Sequence, residues 1–311
     1  MPRFTVVIPL YNKVNFISNT LTHALNQTFK DFELIIVNDC STDDSLRIVN
    51  MFVDTRIQII NHNINKGLSA SRNTGINNAT ADYVAFLDAD DLWHSGFLEK
   101  IDFLIKEYPN ANLYATKYEV LLKNDSRLVH DFKLKEIEKH GIISNFFLCN
   151  LNQSIFYPSC LCVRKSVFED IGYYNEKVNY SEDIDFNIRA NIKYKLAYYN
   201  ENLVTYLLVS ENQITQNGLA GKTIPDYDYY ENIYKDRKDL KKYLDFQRYI
   251  KAKLFRLDSD SERHKKMVAG IDLKNLNWKQ RLLLKAPKFL LEYISKFKKL
   301  TQTLGFDASS Y

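Results

Sequence analysis

Short apolar runs alternate with amphipathic stretches through the first hundred residues. Phe4–Leu10 (FTVVIPL), Phe32–Val37 (FELIIV), Ile57–Ile60 and Tyr83–Leu87 (YVAFL) are rich in β-branched and aromatic residues. That is the pattern of strands buried on both faces. Between them, Phe16, Ile17, Thr20, Leu21, Ala24 and Leu25 recur at helical spacing. Leu46, Val49 and Phe52 predict a second helix, with Ser41 or Thr42 as its cap. Leu68–Ala79 predicts a helix of small residues, and Phe97, Leu98, Ile101 and Leu104 predict one capped by Ser95. Strands alternating with helices imply an α/β fold whose parallel sheet is covered on both faces. Ligands in such sheets bind beyond the carboxyl ends of the strands. The segments to read for chemistry are therefore Pro9–Asn12, Asn38–Ser41 and Asp88–Asp91.

Residues 112–225 are less regular. Ala111–Leu122, Ser159–Val163 and Lys195–Val209 read as strands, with a helix near Glu182–Ile192. Beyond Pro225 the pattern turns helical and rich in Lys, Tyr and Leu, so a boundary is expected at 225/226, leaving 226–311 as a helical C-terminal region. Of the 311 residues, 45% are hydrophobic and 26% charged, with 9 Gly and 6 Pro and no fixed period. These values exclude a mainly disordered chain and a repeat architecture. The four cysteines form no C-x-x-C pair and read as buried free thiols; the six histidines show no zinc spacing.

Asp88-Ala89-Asp90-Asp91 is the strongest local signal. Three carboxylates follow an apolar strand without Lys or Arg close in sequence, and such charges repel unless a cation joins them. Hard oxygen ligands suit Mg²⁺ or Mn²⁺, although an acidic turn capping the next helix has the same composition. Asp39 reads either as an Asx-turn residue or as an acceptor for a base N–H, and Tyr11 on the same sheet edge can stack on that base. Asn65–Asn73 opens a helix with Lys66 and Arg72, suited to a diphosphate. Ser181-Glu182-Asp183-Ile184-Asp185 either seeds a helix N-terminus or supplies a general base. The first strand–helix turn lacks G-x-G-x-x-G, and neither a phosphate loop nor a G-x-S-x-G elbow occurs.

Taken in order, VVIPLYN (6–12), LNQTFKDFELIIVNDCSTDDS (25–45), NKGLSASRNTGI (65–76), YVAFLDADD (83–91), PSCLCVRKSVFEDIGYYNE (158–176) and SEDIDF (181–186) resemble a family 2 glycosyltransferase over roughly residues 3–215. The resemblance implies a GT-A-type nucleotide-binding domain with a mainly parallel, mixed central sheet. Residues 1–225 would be catalytic, with a donor half to about 110 and an acceptor half after it. It implies a nucleotide-sugar donor, most often UDP-linked, with Pro9, Tyr11 and Asp39 at the base. Lys66 and Arg72 would lie near the diphosphate, Asp88 at the ribose, and Asp90, with Asp88, at Mn²⁺ or Mg²⁺. Asp183, paired with Glu182, matches the catalytic base of a single inverting displacement. The implied acceptor is a bacterial surface glycan, lipid-linked or protein-linked. Two features depart from the family. NIRANIKYK (187–195) stands where processive synthases carry Q-x-x-R-W, so a single addition is expected. Val209 stands where many relatives have a His that would ligate the metal.

Trp278–Leu300 carries seven Lys or Arg against Glu292, a net of +6 in a chain whose total is +4, so the rest sums to about −2. Its apolar residues lie among the lysines and Pro287 interrupts it, predicting two short helices or a kink. Such a stretch fits a peripheral membrane contact or a face docked on the catalytic domain or on another copy in a homo-oligomer. Strand-like sequence from Phe4 and the absence of any ~18-residue apolar run lead us to expect no leader and no span, in a cytoplasmic protein, at most peripheral on the inner face of the membrane. The uneven charge argues against nucleic acid as a partner. A sugar-1-phosphate nucleotidyltransferase would want a Gly-rich loop after strand one, where PLYNKVNF has none. An inactive nucleotide-sugar binder would not be expected to keep Asp39, Asp88, Asp90 and Asp183 together.

Overall fold

The computed structural model describes residues 1–303 except 123, 133, 135, 136 and 209–217, with the backbone alone over 298–303. β1 (Phe4–Leu10), α1 (Ile17–Leu25), β2 (Phe32–Asn38), α2 (Ser45–Val49), β3 (Ile57–Asn61), α3 (Leu68–Asn78) and β4 (Tyr83–Phe86) alternate as their periodicity requires. β1 pairs in parallel with β2 and β4, and β2 with β3. All of β1 is buried, which explains its unbroken apolar run.

There follow β5 (Leu92–Trp93), α4 (Phe97–Glu107), β6 (Leu113–Leu121), β7 (Arg127–Val129), β8 (His140–Ile142) and α5 (Phe146–Cys149). Then come β9 (Leu161–Arg164), α6 (Lys165–Ile171), α7 (Glu182–Lys193) and β10 (Leu196–Leu207). The sheet runs β3-β2-β1-β4-β9-β6-β10-β5, with β7 on β6 and β8 on β10. β9 lies antiparallel between β4 and β6, so the parallel β1–β4 half and the β6/β10 half join through one reversed strand. This is the expected mixed, mainly parallel α/β sheet.

α3 is pressed onto β1. A Cβ at Gly75 would stand 2.2 Å from Val7 Cγ1, so only glycine permits that approach. The same closeness explains why the helix is built of small residues.

Three local expectations need correction. α2 starts at Ser45 behind Asp44, not behind Ser41 or Thr42. Both of those residues bond Asn12 instead: Asn12 N–H donates to Ser41 Oγ, and Thr42 N–H donates to Asn12 Oδ1. α4 is preceded by Gly96 rather than capped by Ser95, whose carbonyl accepts from Thr28. Ser159 lies in a 3₁₀ turn, Pro158–Cys160, before β9, because its side chain and carbonyl are drawn toward Asp91 and Trp93.

The chain continues as α8 (Tyr227–Ile233), α9 (Lys238–Leu257), α10 (Ser261–Ala269), α11 (Trp278–Lys285) and α12 (Lys288–Thr303). Asp226 caps α8 by accepting from the N–H groups of Asp228 and Tyr229. Asn277 and Gln280 form a capping box on α11, and Pro287 separates the last two helices. These helices share the core of the sheet region: Tyr227, Leu244, Tyr249, Phe255 and Leu284 belong to the same buried cluster as Phe4 and Val7. α11 and α12 turn Leu284 and Leu291 inward and leave Trp278, Leu282, Phe289, Tyr293 and Phe297 exposed. The tail therefore has a docked face and a free aromatic face. Among the described residues no helix is long and apolar enough to cross a membrane.

Candidate active site

The ends of β1 and β2 are tied to one another. Asp39 N–H donates to the Leu10 carbonyl (2.8 Å), and Asn12 and Cys40 both take left-handed backbone (φ 51° and 61°). Conformations of this kind persist where surrounding bonds over-determine them. Pro9 is buried within β1, and Tyr11 just past it is 45% exposed, so its ring faces the opening. Asp39 is buried. Its Oδ1 accepts from Lys66 N–H (2.8 Å) and meets His62 Nδ1 (2.7 Å), while Oδ2 accepts from Gly67 N–H (2.8 Å). Gly67, at φ 89°, supplies the left-handed turn that lets two successive N–H groups point at one carboxylate. Asp39 thus organises the start of α3 as well as lining the edge.

Beyond β4 the acidic turn is not without cations, contrary to what its flanking sequence suggests. Lys13 Nζ meets Asp90 Oδ2 at 2.7 Å, and Arg72 Nη2 meets Asp88 Oδ1 at 2.8 Å. Both come from elements distant in sequence. Burial pushes the Asp88 carboxyl up, Asp90 and Glu182 add to it, and Arg72 opposes them. Burial pushes Asp91 well up, reinforced by Asp90 and Asp88. Ser159 Oγ donates to Asp91 (2.6 Å) and accepts from Asp88 N–H (3.0 Å), fastening the turn to the start of β9.

Arg72 joins the two acidic clusters. Its guanidinium is 1% exposed; Nη1 binds Glu182 Oε1 at 2.8 Å while Nη2 holds Asp88, and the ring of Tyr174 lies 5.3 Å away. Burial works against its charge, yet Asp88 and Glu182 hold it more firmly protonated than usual. Next to it, Asn73 bonds the backbone of Tyr174 in both directions, fixing α3 against the segment before α7. The arrangement places Arg72 between two carboxylates. Lys66 remains at the mouth of the edge and is exposed.

Asp183 is the second residue of α7. Burial pushes its carboxyl up to about 6, with Glu182 adding to the rise and Arg72, the Ile184 N–H and Lys251 opposing it. A carboxylate near that value can take a proton at neutral pH. Lys13, Ser159, His62 and Lys251 are site residues that the motifs did not single out. For Lys251 a signal existed: it falls on the inward phase of α9, with Leu240, Leu244, Arg248 and Phe255.

Asp88 and Asp90 are suited to a divalent cation. Their hard oxygens stand side by side, partly exposed (25% and 12%), and their mutual repulsion is what such an ion relieves. No group of three or more His, Cys, Asp or Glu able to hold a metal is found among the described residues. The protein's share would thus be these two carboxylates; Val209 lies outside the described residues.

The glycosyl transferase family 2 model matches residues 5–172, more than half of the chain, with every donor-edge residue inside it. The chain belongs to glycosyl transferase family 2. "Glycosyltransferase GlyA" of Streptococcus pneumoniae is 42% identical over 225 residues, covering 66% of this chain. The chain spans only 30% of GlyA's length. The Escherichia coli protein WfaP is named a UDP-Glc:alpha-D-GlcNAc-diphosphoundecaprenol beta-1,3-glucosyltransferase. It is 29% identical over 219 residues, covering 70% of this chain and 81% of its own. The structure of S. aureus TarS in complex with UDP-GlcNAc superposes with a TM-score of 0.61 at 19% identity, covering 91% of this chain and 79% of that one. At that identity the likeness is one of fold.

Proposed function

We propose that this family 2 member is an inverting glycosyltransferase that moves a sugar from a UDP-sugar to a hydroxyl of a glycan acceptor, lipid-linked or protein-linked. The observation that carries the reading is the Arg72 bridge, which brings the Asp88–Asp91 turn and the Glu182–Asp183 pair together. WfaP's named donor and lipid-linked acceptor and the UDP-GlcNAc held by TarS support the donor and acceptor classes.

In this reading Tyr11 stacks on the base, and Pro9 and Asp39 shape the edge beneath it. Asp39 already accepts three bonds, so it meets the ligand through its remaining lone pair and through the loop it holds. Lys66 faces the diphosphate. Asp88 and Asp90 would hold Mn²⁺ or Mg²⁺, which stabilises charge developing on the leaving diphosphate. The acceptor oxygen bonds to the anomeric carbon as the bond from that carbon to the diphosphate oxygen breaks. The hydroxyl proton passes to Asp183, UDP leaves with the electron pair, and configuration inverts. No covalent nucleophile takes part.

A thermal-shift panel of UDP, UDP-Glc and UDP-GlcNAc, with and without Mn²⁺, tests the donor. Stabilisation by a UDP-sugar that grows with metal is expected; equal response to an unrelated nucleotide sugar, or none, would remove the reading. We also propose that the free aromatic face of α11 and α12, flanked by Lys279, Lys285, Lys288 and Lys296, rests on anionic lipid from the cytoplasmic side. The protein should then sediment with anionic vesicles at low salt and release at high salt. Failure to sediment would leave that face to a protein partner.

A further inference from the structure

Ser181 is a serine at the start of a helix that does not act as a cap. It precedes α7, its side chain accepts no bond from the first turn, and its backbone is left-handed (φ 65°, ψ 36°), unfavourable for a residue with a Cβ. Its hydroxyl is engaged elsewhere: Lys251 Nζ, from the middle of α9, donates to Ser181 Oγ at 2.7 Å. Lys251 is 3% exposed, and its ammonium lies 4.7 Å from the centre of the Tyr180 ring. A buried lysine is costly unless it is used. Here it bonds a hydroxyl and a ring at the foot of the helix that carries Glu182 and Asp183.

We propose that Lys251 is a positioning residue for the transfer reaction: from the C-terminal helices it pins Ser181 in its left-handed conformation, and so fixes the first turn of α7 and keeps Asp183 presented as a carboxylate. The inference rests on Asp183 being the base. It also makes the helical region part of the catalytic unit, although every motif of the family resemblance lies before residue 226.

The electrostatics agree with the geometry. Asp183 is faced by Glu182 on its own helix, Arg72 from α3, Tyr174 from the segment before α7, Tyr227 from α8, and Tyr243 and Lys251 from α9. Arg72 and Lys251 are the cations that hold it down. Burial lowers Lys251 itself to about 8, with Asp183 and Glu182 resisting that fall. Losing the lysine's charge lets the Asp183 carboxyl rise.

The test measures hydrolysis of UDP-GlcNAc or UDP-Glc, with water as acceptor, across pH, together with UDP affinity by calorimetry, in the full-length protein. Lys251→Met is expected to leave UDP affinity unchanged and to lower kcat at pH 7 by on the order of 10- to 100-fold, the scale of a slightly misplaced group. The rising limb of the kcat/KM profile should move to higher pH. Lys251→Arg should restore the rising limb. Ser181→Gly tolerates the left-handed backbone but removes the hydroxyl; it should lower kcat while leaving the rising limb in place. A Lys251→Met protein with unaltered kcat and profile would overturn the inference, as would one whose UDP affinity fell in step with kcat. If Lys251→Met does not fold, Ser181→Gly decides, and unchanged kcat there overturns it. Asp183→Asn separates the two readings: full turnover in that variant removes the base, whereas an inactive Asp183→Asn beside unaltered Lys251 and Ser181 variants removes only the role of Lys251.

Discussion

The Asp88–Asp91 turn and the Glu182–Asp185 helix start carry similar charge in unlike settings. The first follows a fully buried strand, and each carboxylate is tied across the sheet edge: Asp88 to Arg72, Asp90 to Lys13, Asp91 to Ser159. The second begins a helix, where carboxylates are favoured by the dipole, and its members take different partners. Asp185 turns away to Arg189 and Tyr230 as a structural acid, while Glu182 meets Arg72. Equal composition thus yields carboxylates tied one by one to distant partners in one case. In the other it yields a bridge at Glu182, a strut at Asp185 and, between them, Asp183 with its carboxyl pushed up to about 6. What separates them is which partner each oxygen reaches, and that depends on elements up to a hundred residues away.

The contrast can be broken most severely at the turn. Chelation with EDTA, or Asp90→Ala, should abolish sugar transfer; full turnover in chelator would remove the cation from the reading. At the helix start, Asp183→Asn keeps the shape and removes the basicity, so kcat should drop by ~10²–10⁴ with UDP affinity intact. Glu182→Gln should be milder. Because Asp183 lies at about 6 and the base must be ionised to accept a proton, kcat/KM of the unaltered protein should climb as pH rises through about 6. A flat profile between pH 5 and 7 would count against Asp183.

The joint between the clusters is testable as stability. Arg72→Met leaves the buried Glu182 and the half-buried Asp88 without their cation. Removing one partner from a buried pair costs about 3–5 kcal/mol, read from the denaturant midpoint at neutral pH. A loss near zero would mean that the clusters are not held together by Arg72. The smallest effect is expected at the base edge. Asp39→Ala should weaken UDP binding by on the order of tenfold, the scale of a hydrogen bond to a charged group. Some stability should go with it, since Lys66 and Gly67 lose their acceptor. Unchanged UDP affinity by calorimetry would take Asp39 out of the site.

Much of the donor half was legible in the residues. β1, β2 and β4 are buried on both faces, so their sequences are continuous apolar runs, and the polar residues that end each run must lie at one edge of a parallel sheet. Pro9, Tyr11, Asp39, Asp88 and Asp90 follow from that logic alone, and the ordered motifs are those of the family. Helix starts were less legible. Ser41, Thr42 and Ser95 look like caps, but nearby loops compete for their polar atoms.

Only the tertiary structure decided what each charge does. Local sequence reports which side chains are present and at what period; it does not report which cation reaches which carboxylate, because that is set by chain crossings with no local trace. Lys13 carried no signal and Arg72 read as a diphosphate contact, yet one meets Asp90 and the other joins two clusters. Lys251, one lysine among many in a basic helix, is buried against Ser181 at the start of α7 because the inward stripe of α9 packs there. Periodicity, being local, determined the elements and the edge. The pairing of buried charges, whose stability rests on removing both partners from water together, was decided only when the chain closed on itself.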